Sequence, residues 1–198
     1  MLIASPVLGL RPMRAARCFT LNVPKPTSDT VPPPASVQND FSLLDRSMEP
    51  ELAEAIAPRH LNISFLVYGA LNGGLLSGKY FTGKEQSGRH VLWPDFQPRY
   101  HSETSRKAAQ RYIALAENHG STPVDLALGW TLSRDYVTST IIGSTKMDQL
   151  SACLETVNVK ITGELCSAVD GIHRMIPNPN KSAGLISPGF VDDVRAGT

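Results

Sequence analysis

From about residue 35 onward, apolar and polar positions alternate in blocks that read as repeated strand–helix units. Ala35-Ser36-Val37-Gln38 is short, partly β-branched and preceded by prolines, which predicts a strand. Ile63-Ser64-Phe65-Leu66-Val67-Tyr68 is the strongest strand signal in the chain. It is too apolar for a half-exposed hairpin and suits a buried parallel strand. Val137–Ile142 is a third, β-branched run. Helices are predicted at Ser47–Ile56, with Ser47 as cap and acids in the first turn, and over 102–118, with Ala109, Tyr112, Ile113 and Ala116 on one face. Thr122-Pro123-Val124-Asp125 opens another, with a cap, a first-turn proline and an acid three residues after the cap. Thr145–Val157 continues the series. A last helix from Thr162 turns Leu165, Val169, Ile172 and Met175 inward and stops before Pro177.

Repeated strand–helix units predict an α/β protein with a parallel sheet, either open or closed into a barrel. Such sheets bind ligands at the carboxyl ends of their strands. Those ends are Gln38-Asn39, Tyr68-Gly69-Ala70-Leu71 and Gly143-Ser144-Thr145-Lys146. Function is sought there.

The first 34 residues differ from the rest. They hold seven of the 15 prolines and no acid before Asp29, with Arg11, Arg14 and Arg17 among small and apolar residues. The segment 1–34 is expected to be a disordered or organelle-targeting leader outside the fold. Residues 35–180 form the domain, and 181–198 a flexible tail. Nineteen basic against 18 acidic residues give a net charge of +1, without the basic excess of a nucleic-acid binder. No apolar run has the length of a membrane helix. Cys18, Cys153 and Cys166 form no CxxC pair, so neither a disulfide framework nor a zinc site is indicated. The expected setting is cytoplasmic.

After the strongest strand comes Gly73-Gly74-Leu75-Leu76-Ser77-Gly78-Lys79-Tyr80. This is one residue short of a phosphate-binding Walker A loop, because Tyr80 stands where the magnesium-binding hydroxyl belongs. Taken by itself the run suits tight turns with a solvated Lys79, and a phosphate-loop nucleotide binder is a remote alternative.

Three segments together resemble a known family. Ser36–Arg46 (Ser-Val-Gln-Asn-Asp-Phe-Ser-Leu-Leu-Asp-Arg) resembles the sixth-strand segment of aldo-keto reductases, in the branch that includes potassium-channel β subunits. Val67–Tyr80 resembles the seventh-strand segment, where the family commonly reads Tyr-Ser-Pro-Leu, a glycine loop, then Thr/Ser-Gly-Lys-Tyr. Ile142–Leu150 is similar to the eighth-strand cofactor segment. The three occur in family order. The resemblance implies a partial (β/α)8 TIM barrel, strands six to eight with their helices, that binds NADP(H) and serves carbonyl reduction or alcohol oxidation on a small-molecule substrate.

On that resemblance, Gln38 hydrogen-bonds the nicotinamide carboxamide and Tyr68 stacks on its ring. Gly69, Leu71 and Gly73 present main-chain N–H groups to the pyrophosphate, with Lys79 adding charge. Gly143, Ser144, Thr145 and Lys146 meet the 2′-phosphate of NADP at the start of a helix, and Gln149 lies one turn along near the adenosine. Two departures stand out. Gly69-Ala70 replace the usual serine and proline, and Ala152 and Cys153 replace the acid and asparagine that serve adenine.

The family's catalytic tyrosine, lysine, aspartate and histidine come from the first half of its barrel, and no residue here matches them. The chain by itself is therefore expected to be inactive, with a non-catalytic nucleotide- or partner-binding module as the alternative. Val37, Phe65, Val67 and Ile141 are expected to point where the remaining strands would pack. Exposed strand edges should then drive self-association.

Overall fold

The computed structural model describes residues 2–4, 34–50, 52–83, 88–95 and 97–182. Three parallel strands, β2 (Ser36–Asp40), β3 (Ser64–Tyr68) and β4 (Ser139–Ile141), lie side by side in that order. A fourth, β1 (Leu2–Ala4), pairs antiparallel on the far edge of β4. The register sets Val37 against Phe65 and Asn39 against Val67, which in turn faces Thr140. Residues opposite one another in a parallel ladder share a face. One face therefore carries Val37, Phe65, Val67 and Thr140, and the other carries Gln38, Leu66, Tyr68 and Ile141.

Helices cover only the first of these faces. A short α1 (Leu52–Ile56) links β2 to β3. The return to β4 runs through a long connection and then α3 (Glu103–Asn118) and α4 (Pro123–Leu132). That connection is built of 3₁₀ turns at Asn72–Ser77, Lys79–Phe81 and Pro98–Tyr100, and of the one-turn helix α2 (Arg89–Leu92). After β4 come α5 (Met147–Glu155), α6 (Gly163–Met175) and the short α7 (Pro179–Ser182). Three helices start where a hydroxyl can accept the orphan N–H of the first turn: Ser102 from Ser105, Thr122 from Asp125, and Thr162 from Leu165.

The core is an aromatic seam between sheet and α4. Phe41 stacks on Trp130 with ring centres 5.3 Å apart, and meets Phe65 and Tyr136 edge-on at 6.0 and 5.7 Å. Such pairings add to the area they bury. Phe41, Phe65, Val67, Leu75, Leu126, Leu128 and Trp130 are all fully enclosed. Leu165, Val169 and Ile172 of α6 bury one stripe against the same core.

Several expectations are corrected. Phe65 and Val67 do not point toward missing strands; they are 0% exposed beneath the helices. A continuously apolar strand gives no signal as to which face the helices take. Of the four residues expected on the uncovered side, only Ile141 lies there. Within the segment 1–34, Leu2–Ala4 joins the sheet, satisfying the edge groups that β4 would otherwise expose. The remainder of that segment up to residue 33 lies outside the described residues, as does 183–198. Lys181, expected in the tail, belongs to α7 and reaches the buried Asp45 at 3.3 Å. Ser47 does not cap a helix, because its hydroxyl donates to Asp45 at 2.7 Å and turns occupy 47–50. Met175 stays 61% exposed.

The face assignment has a measurable consequence. Phe65→Ala should cost about 3–5 kcal/mol in urea unfolding, and Leu66→Ala less than half as much. Equal losses would mean that both faces are covered.

Candidate functional site

The carboxyl edge of the sheet gathers most of the residues singled out from sequence. Gln38 is exposed and Tyr68 half-buried, on adjacent strands and on the uncovered face. Asp40 ends β2 directly opposite Tyr68 and is only 3% exposed. The chain leaves β3 through Gly69, whose φ of +76° is left-handed. A Cβ at this position would overlap Asp40 Oδ1 and sit 3.3 Å from the Tyr100 hydroxyl. Glycine is therefore required twice over, by conformation and by space.

Asp40 is the electrostatic centre of this edge. Its Oδ2 pairs with Arg99 at 2.8 Å, and the same guanidinium accepts nothing but donates also to the Tyr100 hydroxyl at 3.1 Å. Its Oδ1 is buried with no hydrogen bond among the described residues. Burial, and then the neighbouring Asp45 carboxylate, push the Asp40 pKa up to about 6 against the pull of Arg99 and Lys181.

The glycine loop is a pair of tight turns. Gly73 and Gly74 both have positive φ, and the N–H groups of Asn72 and Gly74 close onto the carbonyls of Gly69 and Leu71. The Tyr80 hydroxyl donates to the Gly73 carbonyl at 3.2 Å. A second turn, not an α-helix, begins at Lys79, so the helix that a Walker A loop requires is lacking and that alternative falls. Leu71 is half-buried, and the Lys79 ammonium lies 5.0 Å from the Tyr80 ring centre.

Beyond β4, Gly143, Thr145 and Lys146 are exposed and lead directly into α5. No side chain caps the first turn of α5, and Lys146 occupies the cap position. Ser144 is half-buried near Cys153, whose thiol pKa burial raises against a smaller lowering by Ser144. Gln149 folds back so that its Oε1 is 3.4 Å from the Thr145 N–H. These residues thus stand on the same sheet edge as Tyr68, one strand over. Lys79 is set apart from them, in the wall of a cavity shared with His90, His101 and Arg106. Sequence reasoning missed Asp40, His90, Arg99, His101 and Arg106. They come together from distant parts of the chain, with no local spacing to announce them.

The sequence model of the Aldo/keto reductase family matches residues 15–174, and the chain belongs to that family. The match starts within the segment set apart above as a leader. Among relatives, "Protein tas" of Escherichia coli (strain K12) is 33% identical over 145 residues, 73% of this chain and 41% of that protein. An "Aldo-keto reductase" of Babesia bovis is 35% identical over 121 residues, 59% of this chain and 42% of that protein. Among solved structures, a glycerol dehydrogenase from Gluconobacter oxydans superposes with a TM-score of 0.55 at 28% identity, covering 73% of this chain and 43% of that one. The chain spans about two fifths of the length of these proteins. Family and neighbour give it an α/β fold of the TIM-barrel type and place it among the aldo/keto reductases. Among the described residues, no helix is long and apolar enough to cross a membrane.

Asp40 gives the folded chain a pH signature. Its folded pKa stands near 6, above the ordinary 3.8, so the native state holds the proton more tightly. Its contribution to stability is complete below the ordinary value and is lost as pH rises through about 6. The loss should be on the order of 3 kcal/mol. Urea midpoints measured across this window should fall for the parent chain and lose that component in Asp40→Asn; identical slopes would contradict it.

Proposed function

We propose that this chain is the NADP(H)-binding portion of a carbonyl-reducing, alcohol-oxidising barrel, equivalent to strands six to eight with their helices. The observation that carries the reading is the pairing of Gln38 and Tyr68 on the uncovered face, at the carboxyl edge where such folds bind ligands. Gln38 offers both donor and acceptor to a carboxamide, and Tyr68 offers a flat ring to the nicotinamide. The left-handed glycines bring the backbone of Leu71 and Gly73 within reach of a pyrophosphate, which side chains would otherwise crowd. Ser144, Thr145 and Lys146 precede the uncapped first turn of α5, a favourable place for the extra phosphate of NADP. The residues present therefore fit the dinucleotide. Held there in a complete barrel, the dinucleotide would supply a hydride for carbonyl reduction.

The protein's own part is binding and orientation. Gln38 fixes the plane of the nicotinamide, Tyr68 screens one side of the ring, and Lys146 selects for the phosphorylated ribose. Three of the tyrosines are poorly suited to proton donation. A tyrosine acting as general acid needs a pKa tuned toward neutrality. Burial instead raises the phenols of Tyr100, Tyr112 and Tyr136, and Tyr136 also donates to Glu49. We therefore read the chain by itself as inactive toward carbonyls. The uncovered face, with Leu66, Tyr68 and Ile141 only half-buried, favours self-association.

Titration calorimetry tests the reading. NADPH should bind more tightly than NADH or Mg-ATP, and Lys146→Gln should remove roughly tenfold of the preference over NADH. In the same samples, small aldehydes should leave NADPH absorbance unchanged, and sedimentation should show species larger than a monomer. Tighter binding of Mg-ATP, or aldehyde-dependent NADPH oxidation, would overturn the corresponding part.

A further inference from the structure

Asp40 lies directly behind the turn whose main-chain groups are offered to a ligand. Its carboxyl is 3% exposed, and its Oδ1 packs against the Gly69 backbone without a hydrogen bond among the described residues. Gly69 opens that turn, its carbonyl accepting the Asn72 N–H at 2.7 Å. No side chain separates carboxyl from turn, because a Cβ at Gly69 would overlap Oδ1. Buried polar atoms without partners are costly and uncommon, and call for an explanation.

Among the described residues, two acids and two cations meet here. Asp45 is the second carboxyl, 0% exposed, with its Oδ2 lying 3.3 Å from the Lys181 ammonium. Arg99 pairs with Asp40 Oδ2 at 2.8 Å and donates to the Tyr100 hydroxyl as well. The groups facing Asp40 are therefore Asp45 on its own segment, Tyr68 opposite it on β3, Arg99 and Tyr100 from the long connection, and Lys181 from α7. Both acids are enclosed, whereas Arg99 and Lys181 keep 32% and 50% of their side chains exposed. Solvent weakens the pull of the exposed cations, while the enclosed acids act on one another through a poorer dielectric.

We propose that Asp40 is a proton-linked positioning residue for the dinucleotide, backing the Gly69–Gly73 turn as a carboxylate when the turn is empty at neutral pH and taking up a proton when a diphosphate occupies it. The inference rests on the dinucleotide reading above. A diphosphate brings two negative charges to a turn whose far side is a carboxyl with one oxygen unpaired. Like charges across one turn of backbone repel, and protonation of Asp40 removes that repulsion without moving the chain. Asp40 does not touch the ligand and acts only through the turn.

The empty site is already close to this change. Burial first, and then Asp45, raise the Asp40 carboxyl to about 6 against the pull of Arg99 and Lys181. An anion on the other side of the turn raises it further, so its titration moves toward neutrality. Affinity for the dinucleotide then increases as pH falls through the bound-state value, and levels off below about 6.

Calorimetric titration of the full chain with NADP⁺, in buffers of different ionisation heat, counts the protons taken up on binding. At about pH 6.5 the parent should take up more protons than Asp40→Asn. The 2′-phosphate of the ligand contributes to both, so the difference belongs to Asp40. From about pH 7.5 to about pH 5.5 the parent should gain several-fold more affinity than the variant. A residue that merely shapes the turn would, when replaced, weaken binding by one factor at every pH. The Asp40 carboxyl ¹³C resonance gives a second measurement on the unaltered chain, independent of any folding defect in the variant. Its titration midpoint should move up on saturation with NADP⁺. An unmoved midpoint, or equal proton uptake by the parent and a folded variant, would overturn the proposal and leave the dinucleotide reading standing. Absence of NADP⁺ binding to the parent at every pH would overturn both.

Discussion

The buried Asp40 carboxyl, wedged against the backbone at Gly69 and paired with Arg99, is the contact around which the carboxyl edge is organised. Gly69 begins the long connection after β3, and Arg99-Tyr100 stand at its return toward α3. One side chain at the end of β2 thus fastens both ends of that connection. The arrangement opposes burial cost with an ion pair, and burial prevails, because the carboxyl remains raised despite Arg99. Nearby, a second set of polar contacts secures the end of the described chain. Asn178 accepts from the Arg46 N–H at 2.7 Å, and Asn180 accepts from Ser105 at 2.9 Å.

Packing then divides the sheet into two unlike faces. The Phe41–Trp130 stack and the enclosed Phe65 and Val67 draw the helices to one side. Gln38 and Tyr68 are left on the other side, where a barrel would have its interior. The same division that makes these two residues available to a ligand also leaves apolar surface uncovered. In the proposed reading, binding and association are two outcomes of one asymmetry, and both depend on what occupies that face.

Most elements were legible in the sequence because their ends are local chemistry. Ser102, Thr122 and Thr162 each cap the helix that their side chains announce, and the Phe-Leu-Val-Tyr run is β3 as expected. What escaped depends on tertiary geometry. A strand apolar on both sides does not reveal which face the helices will cover, so Phe65 and Val67 were assigned to the wrong one. In the sequence, glycine at 69 reads only as a departure from the serine usual in the family. In the folded chain it makes room for Asp40, 29 positions away in sequence and opposite the neighbouring Tyr68 in register. The cavity at His90 and His101 was equally silent, since lone histidines in a polar loop carry no pattern.

The central claim is that the uncovered face, through Tyr68, receives a nicotinamide ring. Intermolecular nuclear Overhauser effects between NADP⁺ and the chain address it directly. The account predicts contacts from the Tyr68 ring protons to the nicotinamide protons, lost when Tyr68 is replaced by alanine. Nicotinamide contacts that persist in Tyr68→Ala, or that fall only on residues outside the carboxyl edge of the sheet, would contradict it.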